Sequence, residues 1–129
     1  MNQEAAKQYL HEFLSKPGIV NLDEGDVHFF LGKEGSMDCV YGFGTSTKER
    51  GLMPAVNAAI KDLRRNLSQK PEGIIFTVYG DACLVDVNEA ANCVADCLCS
   101  PTTNMIFGYV AAGPEEPLEV MIAVATRKN

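Results

Sequence analysis

The chain has 129 residues, 47% of them apolar, and a mean hydropathy of −0.03. It therefore reads as one packed domain over 1–129, with no composition of a disordered tail. A formal charge of −6 and a pI near 4.8 argue against nucleic acid or an anionic membrane as partner, and no apolar run approaches the roughly 18 residues of a membrane span. The start, M-N-Q-E-A-A-K, is polar and acidic, unlike a signal peptide, and five cysteines are an odd number, so reduced thiols in the cytoplasm are expected.

Ala6, Tyr9, Leu10 and Phe13 recur at i, i+3, i+4 and i+7 and predict an amphipathic helix over 3–15, stopped by Pro17-Gly18. The turn N-L-D-E-G-D follows. Residues 24–31 fit either a strand (Val27, Phe29, Leu31) or a helix (Val27, Phe30, Leu31). With Asp23 and Asp26 at cap spacing and Gly32 as a stop, a short helix is favoured. Met37–Gly44 is a strand. Leu52, Val56, Ala59, Ile60 and Leu63 trace a second helical stripe, with Pro54 in its first turn. Gly73–Tyr79 is a near-continuous apolar strand that needs cover on both faces. Asp86-V-N-Glu89 predicts the cap of a helix over 87–99, with stripe Val87, Ala90, Ala91, Val94 and Leu98. Two strands, Met105–Ala112 and Leu118–Thr126, finish the chain. Two right-handed β-α-β units place both later helices on one sheet face, which leaves the N-terminal helix to cover the other.

The chemistry-bearing stretch is Pro17–Asp26, P-G-I-V-N-L-D-E-G-D, an amide and two carboxylates spaced N-x-D-x-x-D. It resembles the catalytic loop of the bacterial tubulin homologue FtsZ, written G-x-x-N-x-D-x-x-D, through Gly18, Asn21, Asp23 and Asp26. Other strings resemble that family's C-terminal region in the same order: V-Y-G-F-G (40–44), V-N-E-A-A-N (87–92), N-M-I-F-G (104–108) and L-E-V-M-I-A-V-A-T (118–126). The resemblance covers nearly the whole chain. It implies an α/β (α+β) fold like the FtsZ/tubulin C-terminal domain, a mixed four-stranded sheet in order 1-4-2-3 with the last strand antiparallel and internal. Residues 1–16 would then be a remnant of the central helix, 17–32 the loop and short helix, and 37–129 the β-α-β-α-β-β body.

The same resemblance implies that the loop acts in trans, on GTP held by a neighbouring subunit. Departures are as informative. The phosphate-cradling G-G-G-T-G-[ST]-G segment has no counterpart, since Gly42-Phe43-Gly44 lies at a strand end. No acidic-basic tail peptide for a membrane anchor follows Arg127-Lys128-Asn129. Glu24-Gly25 replaces the family's hydrophobic-small pair, and Thr45–Gly51 only loosely follows its S-G-E-N-R-A.

Asp23 and Asp26 thus have two readings. Either they cap the short helix, or they position a water for attack on a partner's γ-phosphate. Asn21 is a turn-stabilising amide or a nucleotide-facing one. Cys93, Cys97 and Cys99 do not converge as four zinc ligands would, because Cys99 points about 120° away from Cys93 on a helix, so packing thiols and no metal site are expected. His11 and His28 read as packing or surface residues, and Glu115-Glu116 as a solvated loop. The expected protein is a non-enzymatic, cofactor-free FtsZ-like module of cell division that binds or caps FtsZ-type subunits. Two rivals stand beside it: a trimeric chorismate-mutase-like small-molecule binder or enzyme, for which Arg50, Arg64, Arg65 and Arg127 offer little, and a structural protein self-associating through the Tyr9/Phe13 helix face.

Overall fold

The computed structural model describes residues 2–16, 18, 20 and 37–127. Helix α1 spans Gln3–Leu14; strand β1 is Met37–Ser46, helix α2 Met53–Arg64, strand β2 Pro71–Tyr79, helix α3 Leu84–Leu98, strand β3 Asn104–Val110 and strand β4 Leu118–Arg127. The expected short helix after the loop lies outside the described residues. The strands form one sheet in the order β1-β4-β2-β3, with β4 antiparallel to both neighbours and β2 parallel to β3, as the resemblance implies.

Strand β4 shows why this order suits the sequence. Val120, Ile122 and Val124 point into the core built with α2 and α3, while Met121 and Ala123 point into a second core under α1. A period of two along a strand places successive side chains on opposite faces. An almost unbroken apolar run therefore belongs at the centre of a sheet covered on both sides. On β2, Ile74, Phe76 and Val78 face the two helices and Ile75 faces α1, while the buried Thr77 hydroxyl donates to the Met121 carbonyl at 3.1 Å.

Helix α1 is capped by the Asn2 side chain, which accepts from the Ala5 N–H at 2.8 Å, and it buries Ala6, Leu10 and Phe13, the first two against Tyr41, Ile75, Met121 and Ala123 of the sheet. Burying side chains such as Leu10 and Phe13 is worth about 1.5–3 kcal/mol each, which holds a helix too short to persist alone. This corrects the expected self-association face. Phe13 is 4% exposed, and Tyr9 packs edge-on to Phe43 at 5.6 Å with its hydroxyl on Glu119 at 3.3 Å. Ala6, Leu10 and Tyr9 of the stripe pack on the chain's own sheet, and the buried Phe13 stacks on Tyr9.

Helix α2 lies against β1 at backbone distance. A Cβ on Gly42 would stand 2.1 Å from the Ala59 carbonyl oxygen, and one on Gly44 2.1 Å from that of Ala55. Both alanines are fully buried, so small residues meet glycines and the helix settles onto the strand. Asp62 of α2 also blunts the outer edge of β1 by accepting the Phe43 N–H at 2.9 Å, as Gln3 does by donating to the Cys39 carbonyl at 3.3 Å. Burial works against the Asp62 charge, but the Phe43 N–H it accepts, and after it nearby positive charge that includes the Arg65 guanidinium, hold the carboxyl below its ordinary range. A depressed folded pKa gives stability that is present above the unfolded value and lost as pH falls through the folded one. Asp62→Ala should therefore cost about 1 kcal/mol in urea unfolding at pH 7, with the gap from the parent narrowing at pH 3. An equal loss at both pH values would contradict this role.

Helix α3 starts three residues before its expected first residue, at Leu84. Cys83 is the N-cap, without a side-chain cap, and Asp86 sits in the first turn instead of at the cap. The reason lies in the preceding connection. Gly80 turns with φ +138°, and the Tyr109 hydroxyl takes up the backbone of Ala82, so the chain is already aimed when it reaches Cys83. Leu84 and Val85 are exposed, so this turn carries no apolar stripe to announce a helix. Strand β3 stops at Val110 instead of Ala112, because the Ala112 N–H turns back to the Gly80 carbonyl.

Candidate docking site

Strands β1, β2 and β3 all run opposite to β4, so their C-terminal ends share one edge of the sheet. At that edge α1 closes with the Ser15 hydroxyl donating to the Glu12 carbonyl at 2.7 Å. The Lys16 ammonium lies 4.5 Å above the Tyr79 ring centre. From there the chain passes Gly18, half-buried, to Val20. Val20 and Tyr109 exchange both backbone hydrogen bonds, at 3.2 and 2.8 Å, adding a bridge to the outer edge of β3. This fixes where the loop begins. Asn21, Asp23 and Asp26, like His28, lie outside the described residues.

Tyr109 also works through its side chain. Only 2% exposed, it directs its hydroxyl at the Gly80 carbonyl (3.1 Å) and the Ala82 carbonyl, and it accepts the Ala82 N–H at 3.0 Å. One residue thus ties the start of the loop to the β2–α3 connection. That connection is tied in turn to the β1–α2 connection by the Lys48–Asp81 ion pair. Sequence reasoning missed Tyr109, Lys48 and Asp81. A tyrosine inside N-M-I-F-G-Y-V signals only a strand, and residues 48 and 81 are 33 positions apart. Two tyrosines beside α1 face carboxylates. Burial, and then Glu119, push the Tyr9 hydroxyl pKa up, and burial and then Glu116 do the same to Tyr79, so both stay protonated hydrogen-bond donors at neutral pH.

The expected packing thiols divide. Cys93 and Cys99 are half-buried, the latter with its sulfur 4.0 Å from that of Met105, and Cys97 is exposed. Among the described residues no three or more His, Cys, Asp or Glu side chains converge as metal ligands. His11 is exposed in the last turn of α1. Among the described residues no helix is long and apolar enough to cross a membrane.

No family model matches the sequence. Among individual proteins, the chain is 34% identical over 130 aligned residues to the cell division protein FtsZ of two Caulobacter vibrioides strains, a match covering 93% of this chain. The chain is an FtsZ-like domain. It spans 25% of the length of those relatives. Its fold is also that of solved FtsZ chains from M. jannaschii. An empty FtsZ dimer superposes with a TM-score of 0.78 at 22% identity, covering 94% of this chain and 36% of that one. A tryptophan-to-tyrosine mutant of the same FtsZ gives 0.67 at 20% identity, covering 98% and 42%. The FtsZ-like domain shares with them the mixed four-stranded sheet in order 1-4-2-3.

Proposed function

We propose that this FtsZ-like domain is a non-enzymatic module that binds the nucleotide-bearing end of an FtsZ-type subunit through Gly18, Asn21, Asp23 and Asp26, and so caps or modulates the filament in cell division. The observation that carries the reading is the N-x-D-x-x-D loop itself. It follows directly on Val20, which is bonded to the edge of β3, in a chain matching FtsZ over 93% of its length.

Phosphoryl transfer demands mainly positioning and charge placement, so two carboxylates can serve it only where phosphate, metal and cradle are supplied from elsewhere. In this reading the partner supplies all three. Asp23 and Asp26 act on its GTP in trans or serve only to dock. Leu84 and Val85, with Met53, are large apolar side chains left exposed at the first turns of α3 and α2. They give the edge where β1, β2 and β3 end an apolar rim of the kind that interfaces use.

The test is a titration of the chain into FtsZ polymerising with GTP, reading pelletable polymer and phosphate release. A cap acts on filament ends, so polymer mass or turnover should change while the chain is still substoichiometric. Constant mass and turnover up to a tenfold excess would falsify capping.

A further inference from the structure

The outer edge of β1 borders a cleft of about 610 Å³ that reaches both faces of the sheet. Ala5 of α1 and the Phe43 ring line it on one face; Ala58, Lys61 and Asp62 of α2, with Arg65 at its C-cap, line it on the other. Lys61 and Arg65 are exposed, and Lys61 makes no ion pair among the described residues, in a chain whose formal charge is −6. We propose that this cleft takes an extended peptide with acidic side chains at alternate positions, added to the sheet as a fifth strand beside β1.

The Phe43 N–H and the Cys39 carbonyl turn outward from the sheet, as their bonds to Asp62 and Gln3 show. By the two-residue period of a strand the exposed Thr45 continues that outward row. Strand addition uses such a row of edge groups. On the Phe43 N–H the Asp62 carboxylate, at 2.9 Å, holds the place that an added strand's carbonyl would take, so the chain carries its own stand-in. Residues four apart on a helix keep their Cβ atoms about 5–6 Å apart, which sets the distance between Lys61 and Arg65. Side chains at i and i+2 of an extended peptide share a face at a spacing of about 6–7 Å. Two carboxylates so placed reach both cations, Arg65 through the paired N–H bonds that a guanidinium offers a carboxylate. The residue between them points to the opposite face, where Phe43 and Ala5 offer apolar contact. Acidic–apolar–acidic is therefore the pattern that the cleft selects.

The experiment follows backbone amide shifts of the 15N-labelled 129-residue chain during titration with acetyl-Ala-Glu-Val-Glu-Ala-amide, and with its Lys-for-Glu counterpart as control. The expected result is saturation at about 1 mM or below, with the largest shifts at Phe43, Thr45 and Lys61, and none with the lysine peptide. Lys61→Glu/Arg65→Glu, both at exposed positions, should weaken binding by about tenfold. Asp62→Ala removes the stand-in and a repelling charge, so it should tighten binding by about threefold. The amide spectrum itself reports whether each variant is folded. Absence of saturating shifts at Phe43 and Thr45, equal binding of the lysine peptide, undiminished binding by the double variant, or weaker binding by a folded Asp62→Ala would each overturn the site.

Discussion

Gly44→Val should leave most of the chain unfolded at 25 °C, with no cooperative urea transition by circular dichroism. Even an alanine Cβ at this position meets the Ala55 carbonyl oxygen at 2.1 Å and the Ala59 nitrogen at 2.8 Å, both backbone atoms of a fully buried helix face. Forcing atoms into a packed core costs about 1–3 kcal/mol and more where backbone must move. Gly44→Ala is accordingly expected to lose about 3 kcal/mol. Valine adds two methyls and must lift α2 from the sheet, pulling Val56, Ile60 and Leu63 partly out of the core. A loss of about 5 kcal/mol is comparable with the whole stability of a small domain. A native-like transition in Gly44→Val, displaced by less than 1 kcal/mol, would show that α2 does not sit where the glycines place it.

Tyr109 carries the second large expectation. Tyr109→Ala opens a cavity at a residue 2% exposed and removes the hydroxyl from the β2–α3 connection, for an expected loss of about 4 kcal/mol. Tyr109→Phe separates the two effects. It keeps the ring and the backbone pair with Val20 but leaves the part-buried Ala82 N–H without its acceptor, at about 1–3 kcal/mol. Amide exchange should then be faster at Ala82 by at least tenfold in Tyr109→Phe and unchanged at Val20. Equal protection of Ala82 in parent and variant would remove Tyr109 from its proposed place as the tie between loop and connection.

Local patterns made most of this fold legible. The apolar stripes of α1 and α2 and the two-sided apolar runs of β2 and β4 each follow from a period that physics imposes on helix or strand, and the structure keeps them. What escaped was decided by partners far away in sequence. The start of α3 was misplaced because a tyrosine hydroxyl from β3 prepares its first turn, while Asp86 looked like a cap. The Tyr9/Phe13 stripe was offered to a partner because sequence shows that a face is apolar, not what covers it. Tyr9 packs with Tyr41, Met121 and neighbouring sheet residues, and Phe13 is buried within the chain itself. For the candidate site, the loop's spacing was readable at once. Its anchoring through Val20, Tyr109 and the Lys48–Asp81 pair was not, since no local pattern links a strand edge to two loops.

The central claim is that the Asn21–Asp26 loop docks this domain on an FtsZ-type subunit. Co-sedimentation with GTP-assembled FtsZ polymers, comparing the parent chain with an Asp23→Ala/Asp26→Ala double variant, tests it most directly. The account predicts that the parent pellets with polymer, saturably, and that the double variant, folded by circular dichroism, binds at least tenfold more weakly. A parent chain that stays in the supernatant, or a double variant that pellets as well as the parent, would contradict it.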